Sequence, residues 1–253
     1  MKVLVLGSGS AFTYENFHSN YLIWDSDKRD NLLIDCGSDI RFALKGQGIS
    51  HRDIKRVYIS HLHADHVGGM EFLAFMTFFD PGSAKKIELY ANHELMREMW
   101  SYSLSGGLHS VEGREMELKD YFDRVPMYIN KPVIIKGLGT LNMVQTVHIM
   151  NGFEIVNTYG LMIITEQGKK IYFTTDTQFC PDQIMVFYKD ANIIIQDCEI
   201  SEFDSKVHAN YKKLMTLPED IKKKMYLTHF QDGKRPPMEG FLGYLEKGQE
   251  LDL

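Results

Sequence analysis

The stretch Ser60-His61-Leu62-His63-Ala64-Asp65-His66-Val67-Gly68-Gly69 constrains this chain more than any other. It places four potential metal ligands, His61, His63, Asp65 and His66, directly after the β-rich run Arg56 to Ser60 and at the mouth of a helical pattern, Asp65 to Phe78. Side chains alternate along an extended segment, so His61 and His63 share one side, while the turn into the helix carries Asp65 and His66 to a neighbouring volume. One short loop can therefore serve two adjacent metal ions. Gly68 and Gly69 let the start of the helix approach closely. An isolated histidine in a polar loop is usually just solvated; this spacing favours metal.

Three later positions extend the set. His148 follows the apolar run Leu141 to Val147, Asp176 follows Ile171 to Thr174, and His229 ends Tyr226-Leu227-Thr228. Each is a polar group at the end of a strand-like run. The resulting five imidazoles and two carboxylates suit two divalent ions, Zn2+ first and Mn2+ as an alternative. Cys36, Cys180 and Cys198 form neither an even set nor a C-x-x-C pair, which argues against a disulfide framework or cysteine zinc site and fits a reducing compartment. They read as core residues.

Short β-rich runs, including Val3 to Leu6, Tyr21 to Trp24, Leu32 to Ile34, Ile87 to Ala91, Val133 to Lys136, Leu141 to Ile149, Phe153 to Thr158, Leu161 to Thr165, Ile171 to Thr174, Asn192 to Gln196 and Met225 to Thr228, predict strands. Helices are expected at Ile40 to Lys45, Asp65 to Phe78, His93 to Tyr102, Asp182 to Tyr188 and Pro218 to Lys223. This order predicts two mixed sheets covered by helices. No Pro/Gly/Ser-rich linker divides residues 1–253, so they read as one domain. With 28 Lys+Arg against 34 Asp+Glu the formal charge is −6, which excludes a general basic coat for nucleic acid. No run approaches the ~18 apolar residues of a membrane span or the form of a signal peptide, so a cytoplasmic protein without a membrane partner is expected.

With His61, His63, Asp65 and His66 matching H-x-H-x-D-H, the chain resembles the metallo-β-lactamase fold superfamily from Gly7-Ser8-Gly9 to Gly240–Leu253. The resemblance implies an αββα sandwich of the α/β class. It assigns His61, His63 and His148 to one metal, Asp65, His66 and His229 to the other, and Asp176 as a bridge. A metal pair ~3.5–4 Å apart favours ester or phosphodiester hydrolysis. Gln196-Asp197-Cys198-Glu199 and Lys206-Val207-His208-Ala209-Asn210 are similar to the Glu and His elements of the tRNase Z branch. There the histidine protonates the leaving oxygen and the glutamate orients it, which adds His208 and Glu199 to Asp65 as candidate catalytic residues.

Members of that branch that process tRNA carry a flexible arm between the positions of His148 and Asp176. The interval 149–175 is too short for one, and no stable nucleic-acid partner is expected. In size and in lacking the arm, the chain is most similar to the phage anti-Pycsar cyclic nucleotide phosphodiesterases. That implies a homodimer which hydrolyses cyclic CMP and cyclic UMP, with cyclic AMP and cyclic GMP as further substrates, against an antiphage defence in the host cytoplasm. The alternatives are an RNA 3′ endonuclease and a non-catalytic nucleotide sponge. A thioesterase of the glyoxalase II kind would need a helical C-terminal domain that residues 230–253 cannot supply.

Phe12, Tyr14, Phe17 and His18, in the loop after the first strand, are the candidates for stacking on a base; core packing or loop filling would also explain such a cluster. Residues 100–128, with Trp100, Tyr102, Tyr121 and Tyr128, read equally as a lid or dimer contact and as a surface excursion.

Overall fold

The first three β-rich runs are buried along almost their whole length, as strands covered on both faces must be. The computed structural model describes residues 1–25, 30–83 and 85–253. In chain order the strands are β1 Lys2–Gly7, β2 Asn20–Trp24, β3 Asn31–Ile34, β4 Arg56–Tyr58, β5 Ile87–Asn92, β6 Ser110–Val111, β7 Arg114–Glu115 and β8 Phe122–Met127. They continue with β9 Val133–Ile135, β10 Gly139–Gln145, β11 Tyr159–Ile164, β12 Lys170–Phe173, β13 Ile193–Asp197, β14 Met225–Thr228, β15 Gly243–Tyr244 and β16 Glu250–Asp252. Among the described residues one sheet runs β16-β1-β2-β3-β4-β5-β8 and the other β15-β14-β13-β12-β11-β10-β9, with β6 and β7 as a separate hairpin. Both sheets are mixed: β3 to β8 and β12 to β15 pair in parallel, and the remaining neighbours are antiparallel.

The sheets face each other across a core that includes Leu22, Leu33, Tyr58, Leu141, Leu161 and Phe173. Two phenols join them: the Tyr58 hydroxyl donates to the Tyr159 carbonyl at 2.9 Å, and the Tyr21 and Thr228 hydroxyls are 2.6 Å apart. Outside the second sheet, Ile184 and Tyr188 of the helix Pro181–Asp190 pack with Tyr172, Ile194 and Met225. The expected αββα sandwich is the fold that forms. Among the described residues no helix is long and apolar enough to cross a membrane.

Several local expectations need correction. The helix expected over Asp65 to Phe78 is two, Ala64–Val67 and Met70–Phe79, broken at Gly68-Gly69. A Cβ at Gly69 would lie 2.4 Å from the Gly37 carbonyl oxygen, so this break lets the ligand loop press against the turn after β3. The helix expected to Tyr102 is α-helical only over His93–Glu98 and continues as a π-helix, Met99–Leu104. Phe153 to Thr158 is not a strand: its one bridge joins Met150 to Ile155, and Phe153 is fully exposed. Within residues 100–128, Tyr121 and Phe122 are buried and β8 completes the first sheet beside β5, so this last part belongs to the sandwich.

Candidate metal centre

Parallel strands open their C-terminal ends along one edge, and the ligand candidates stand there. His61 and His63 follow β4, Asp176 follows β12 and His229 follows β14; His148 lies in the loop beyond β10. The chain leaves the sheet sharply at these points. Asp35, Thr175 and His229 have φ of 60°, 51° and 60°, a left-handed backbone that costs non-glycine residues about 1–3 kcal/mol each.

The seven side chains form two groups that share Asp176, with ligand atoms in each group within 4.8 Å of one another: His61, His63, His148 and Asp176, and Asp65, His66, Asp176 and His229. In the first, His63 Nδ1 lies 3.0 Å from His61 Nε2 and 3.2 Å from His148 Nε2, and Asp176 Oδ2 lies 3.7 and 3.5 Å from those two Nε2 atoms. In the second, His66 Nε2 is 3.1 Å from both Asp65 Oδ2 and Asp176 Oδ1, and His229 Nε2 is 3.1 and 3.3 Å from the same oxygens. The two oxygens of Asp176 thus face different groups. Tetrahedral ligands at zinc–nitrogen lengths stand about 3.3 Å apart, the scale seen in both groups.

In three of the rings the proton of the opposite nitrogen is accounted for. His148 Nδ1 donates to the Val207 carbonyl at 2.6 Å, and His66 Nδ1 to Asp35 Oδ2 at 2.7 Å. The Ser60 hydroxyl donates to Asp35, so it accepts from His61 Nδ1 at 3.0 Å. Each of these rings therefore directs an Nε2 lone pair inward, the arrangement that outer carboxylates and carbonyls impose on metal-binding histidines. Burial pushes His61, His63 and His148 toward the neutral form. At His66 and His229 burial acts the same way, but Asp176, Asp65 and their neighbours outweigh it and raise both, His229 to about 10. The second group thus demands positive charge, and His66 Nε2 and Asp176 Oδ1 are buried without a hydrogen-bond partner. A divalent cation in each group answers both the converging lone pairs and the uncompensated carboxylates, so the residues fit the expected metals.

His208 stands beside the centre, with its ring centroid 4.9 Å from those of both His148 and His229. The carboxylate at hydrogen-bond distance of its ring is that of Asp197, not that of Glu199. His208 Nδ1 donates to Asp197 Oδ2 at 2.9 Å, and Asp197 Oδ1 lies 3.3 Å from His229 Nδ1. Glu199 instead accepts from the Ser205 backbone N–H at 3.0 Å and from Asn210 at 3.4 Å, which ties down the loop that carries His208. Burial opposes charge on His208, but Asp197 prevails and raises it above the ordinary histidine value. Asp35 and Asp197 are the carboxylates beside the candidate site that motif reading did not single out. Each was visible only as an acid at a strand end.

A cavity of about 490 Å3 opens over the centre, lined among others by Phe12, His18, His63, His148, His208 and His229. Of the aromatic candidates, Phe12 and His18 line it. Tyr14 does not: it is 98% exposed and points to solvent, and Phe17 packs against the core instead. A wider groove beside Trp100 and Tyr128 contains none of the ligand candidates.

Two facing mixed sheets with this donor set on their shared edge define a protein of the metallo-β-lactamase fold. The structure of YhfI from Bacillus subtilis, described as a metallo-beta-lactamase fold protein, superposes with a TM-score of 0.74 at 20% identity, over 99% of this chain and 98% of that one. Within the fold, the chain belongs to the Anti-Pycsar protein Apyc1 family, whose sequence profile matches residues 1–251. It is 32% identical to the Anti-Pycsar protein Apyc1 of Paenibacillus sp. (strain J14) over 96% of this chain and 93% of that protein. To the one of Bacillus phage vB_BsuM-Goe3 it is 29% identical, over 100% of this chain and 98% of that protein.

Proposed function

We propose that this chain is a metal-dependent phosphodiesterase that opens cyclic mononucleotides to nucleoside monophosphates, cyclic CMP and cyclic UMP first and cyclic AMP and cyclic GMP besides, and so counters a cyclic-nucleotide antiphage defence in the host cytoplasm. The observation that carries the reading is the placement of His208 on the cavity wall, its Nδ1 bound to Asp197 and its Nε2 left to serve the substrate. An alkoxide leaves poorly, and an imidazolium beside it can protonate the departing ribose oxygen. Asp197 holds that ring in place and balances its charge.

His61, His63 and His148 would hold one divalent ion and Asp65, His66 and His229 the other, with Asp176 between them. Bound there, the ions supply the activated water and neutralise charge on the phosphate. Asp65, which lines the same cavity, counts among the catalytic residues in this reading. Phe12 offers a ring face to the base, and His18 lines the same cavity. A volume of about 490 Å3 is in the range of small-molecule sites and suits a mononucleotide better than a folded RNA. The same reading has the protein working as a homodimer, which sedimentation of the purified chain tests.

The decisive experiment offers the protein cyclic mononucleotides, a tRNA precursor and bis(p-nitrophenyl) phosphate side by side, with Zn2+ or Mn2+. Cyclic CMP and cyclic UMP should yield monophosphates while the precursor stays intact. Cleavage of the precursor alone, or binding of cyclic nucleotides without turnover, overturns the proposal.

A further inference from the structure

Phe12 is 86% exposed, so no packing of its own holds its ring over the cavity. Its position is set by the turn that carries it, and that turn is fastened from elsewhere. Asp232 Oδ1 accepts from the Thr13 hydroxyl at 2.6 Å and from the Asn16 side-chain amide at 2.8 Å, and Asp232 Oδ2 accepts from the Tyr14 backbone N–H at 2.6 Å. Thr13 passes the connection on by accepting from the Asn16 backbone N–H at 3.0 Å. Asp232 lies three residues beyond His229. The intervening chain is also tied to the loop after β1: the His229 N–H donates to the Ser8 carbonyl at 2.8 Å, and the Ser10 N–H to the Phe230 carbonyl at 3.1 Å.

We propose that Asp232 is a positioning residue for nucleobase recognition, a clasp that sets the 12–16 turn, and with it the Phe12 ring, in register with the metal loop at His229. The proposal rests on the functional reading above and adds to it the element that fixes where a base can stack. All three direct partners are donors, and only a carboxylate presents acceptors to all of them at once. An amide in its place keeps the volume but turns an N–H2 toward one of these donors.

The test compares the metal-loaded protein with Asp232→Asn, Phe12→Ala and the double variant. Cyclic CMP is the nucleotide substrate and methyl p-nitrophenyl phosphate a phosphodiester without a nucleobase. Losing an ordered base stack should raise KM for cyclic CMP roughly tenfold in Asp232→Asn, with kcat within about twofold, KM for the small diester nearly unmoved and bound metal unchanged. Hydrogen exchange at residues 11–17 should accelerate. Because Asp232 acts through Phe12, the double variant should be no worse than Phe12→Ala alone. Unchanged KM and exchange in Asp232→Asn overturn the clasp, as does a fall in kcat on both substrates, which would mark a general disturbance of the site. Additive losses in the double variant overturn the route through Phe12. If the unaltered protein turns over the small diester but no cyclic nucleotide, the functional reading falls, and the nucleobase role with it.

Discussion

Among the ligand candidates His61, His66 and His148 are buried, and each has its second ring nitrogen bound to a neighbour. The loops that leave the cavity are built differently: Phe12, Phe153 and Phe203 stand 86%, 100% and 76% exposed. Of these, Phe12 is followed by residues that Asp232 ties down, Thr13, Tyr14 and Asn16, while its own ring stays open. The contrast suits the roles proposed for the two regions. A metal centre needs donor atoms fixed to a fraction of an ångström, which takes burial and outer hydrogen bonds. A base-stacking surface needs only a face at the right height, and it has to stay open for entry.

The comparison breaks most visibly at its deepest point. Asp176→Ala removes the one carboxylate among the described residues that belongs to both donor groups, so metal content should drop and turnover should fall at least about a thousandfold; elemental analysis with steady-state kinetics checks both. Next in size, His208→Ala should keep its metal yet slow cyclic CMP roughly a hundredfold or more. Diesters that release p-nitrophenolate, which departs without a proton, should be slowed far less, and a matched series of leaving groups reads the difference. Asp35→Asn leaves all seven ligand candidates in place but weakens the partner of His66 Nδ1. Its expected effect is a roughly 10- to 100-fold loss of metal affinity, measured by chelator competition, with activity restored by added Zn2+. The smallest effect belongs to the rim: Phe153→Ser should change stability by less than about 0.5 kcal/mol and leave KM unmoved. A raised KM there would enlist the 150–155 loop in substrate binding.

The donor groups were legible because their spacing is local or strand-linked: four of the seven side chains come from His61–His66, and the others end apolar runs. Their partners were not. Asp197 and Glu199 are two apart, so strand alternation points both to the same side, and sequence alone cannot say where the ladder stops. In the structure Asp197 still pairs with Thr228, whereas Glu199 has left the sheet to meet Asn210. Asp35 meets His66 only after folding brings β3 beside β4. Phe153 to Thr158 imitates a strand in composition, but no neighbouring strand accepts it, and β-propensity without a partner does not make a sheet. Strand β8 was hidden by the reverse effect, since Asp123, Arg124 and Pro126 give it the polar look of an edge.

Each donor group draws from both sheets. His61 and His63, or Asp65 and His66, come from the first, and His148, Asp176 and His229 from the second. Ions held in this way would work as rivets through the seam of the sandwich, closing long stretches of chain into loops that an unfolded molecule would otherwise explore freely. Chelation should then lower the melting temperature of both sheets together, not merely silence the site. For the cell, metal supply would become a quality check on the fold: molecules that never acquired their ions would be the ones that open, and the ones proteases remove.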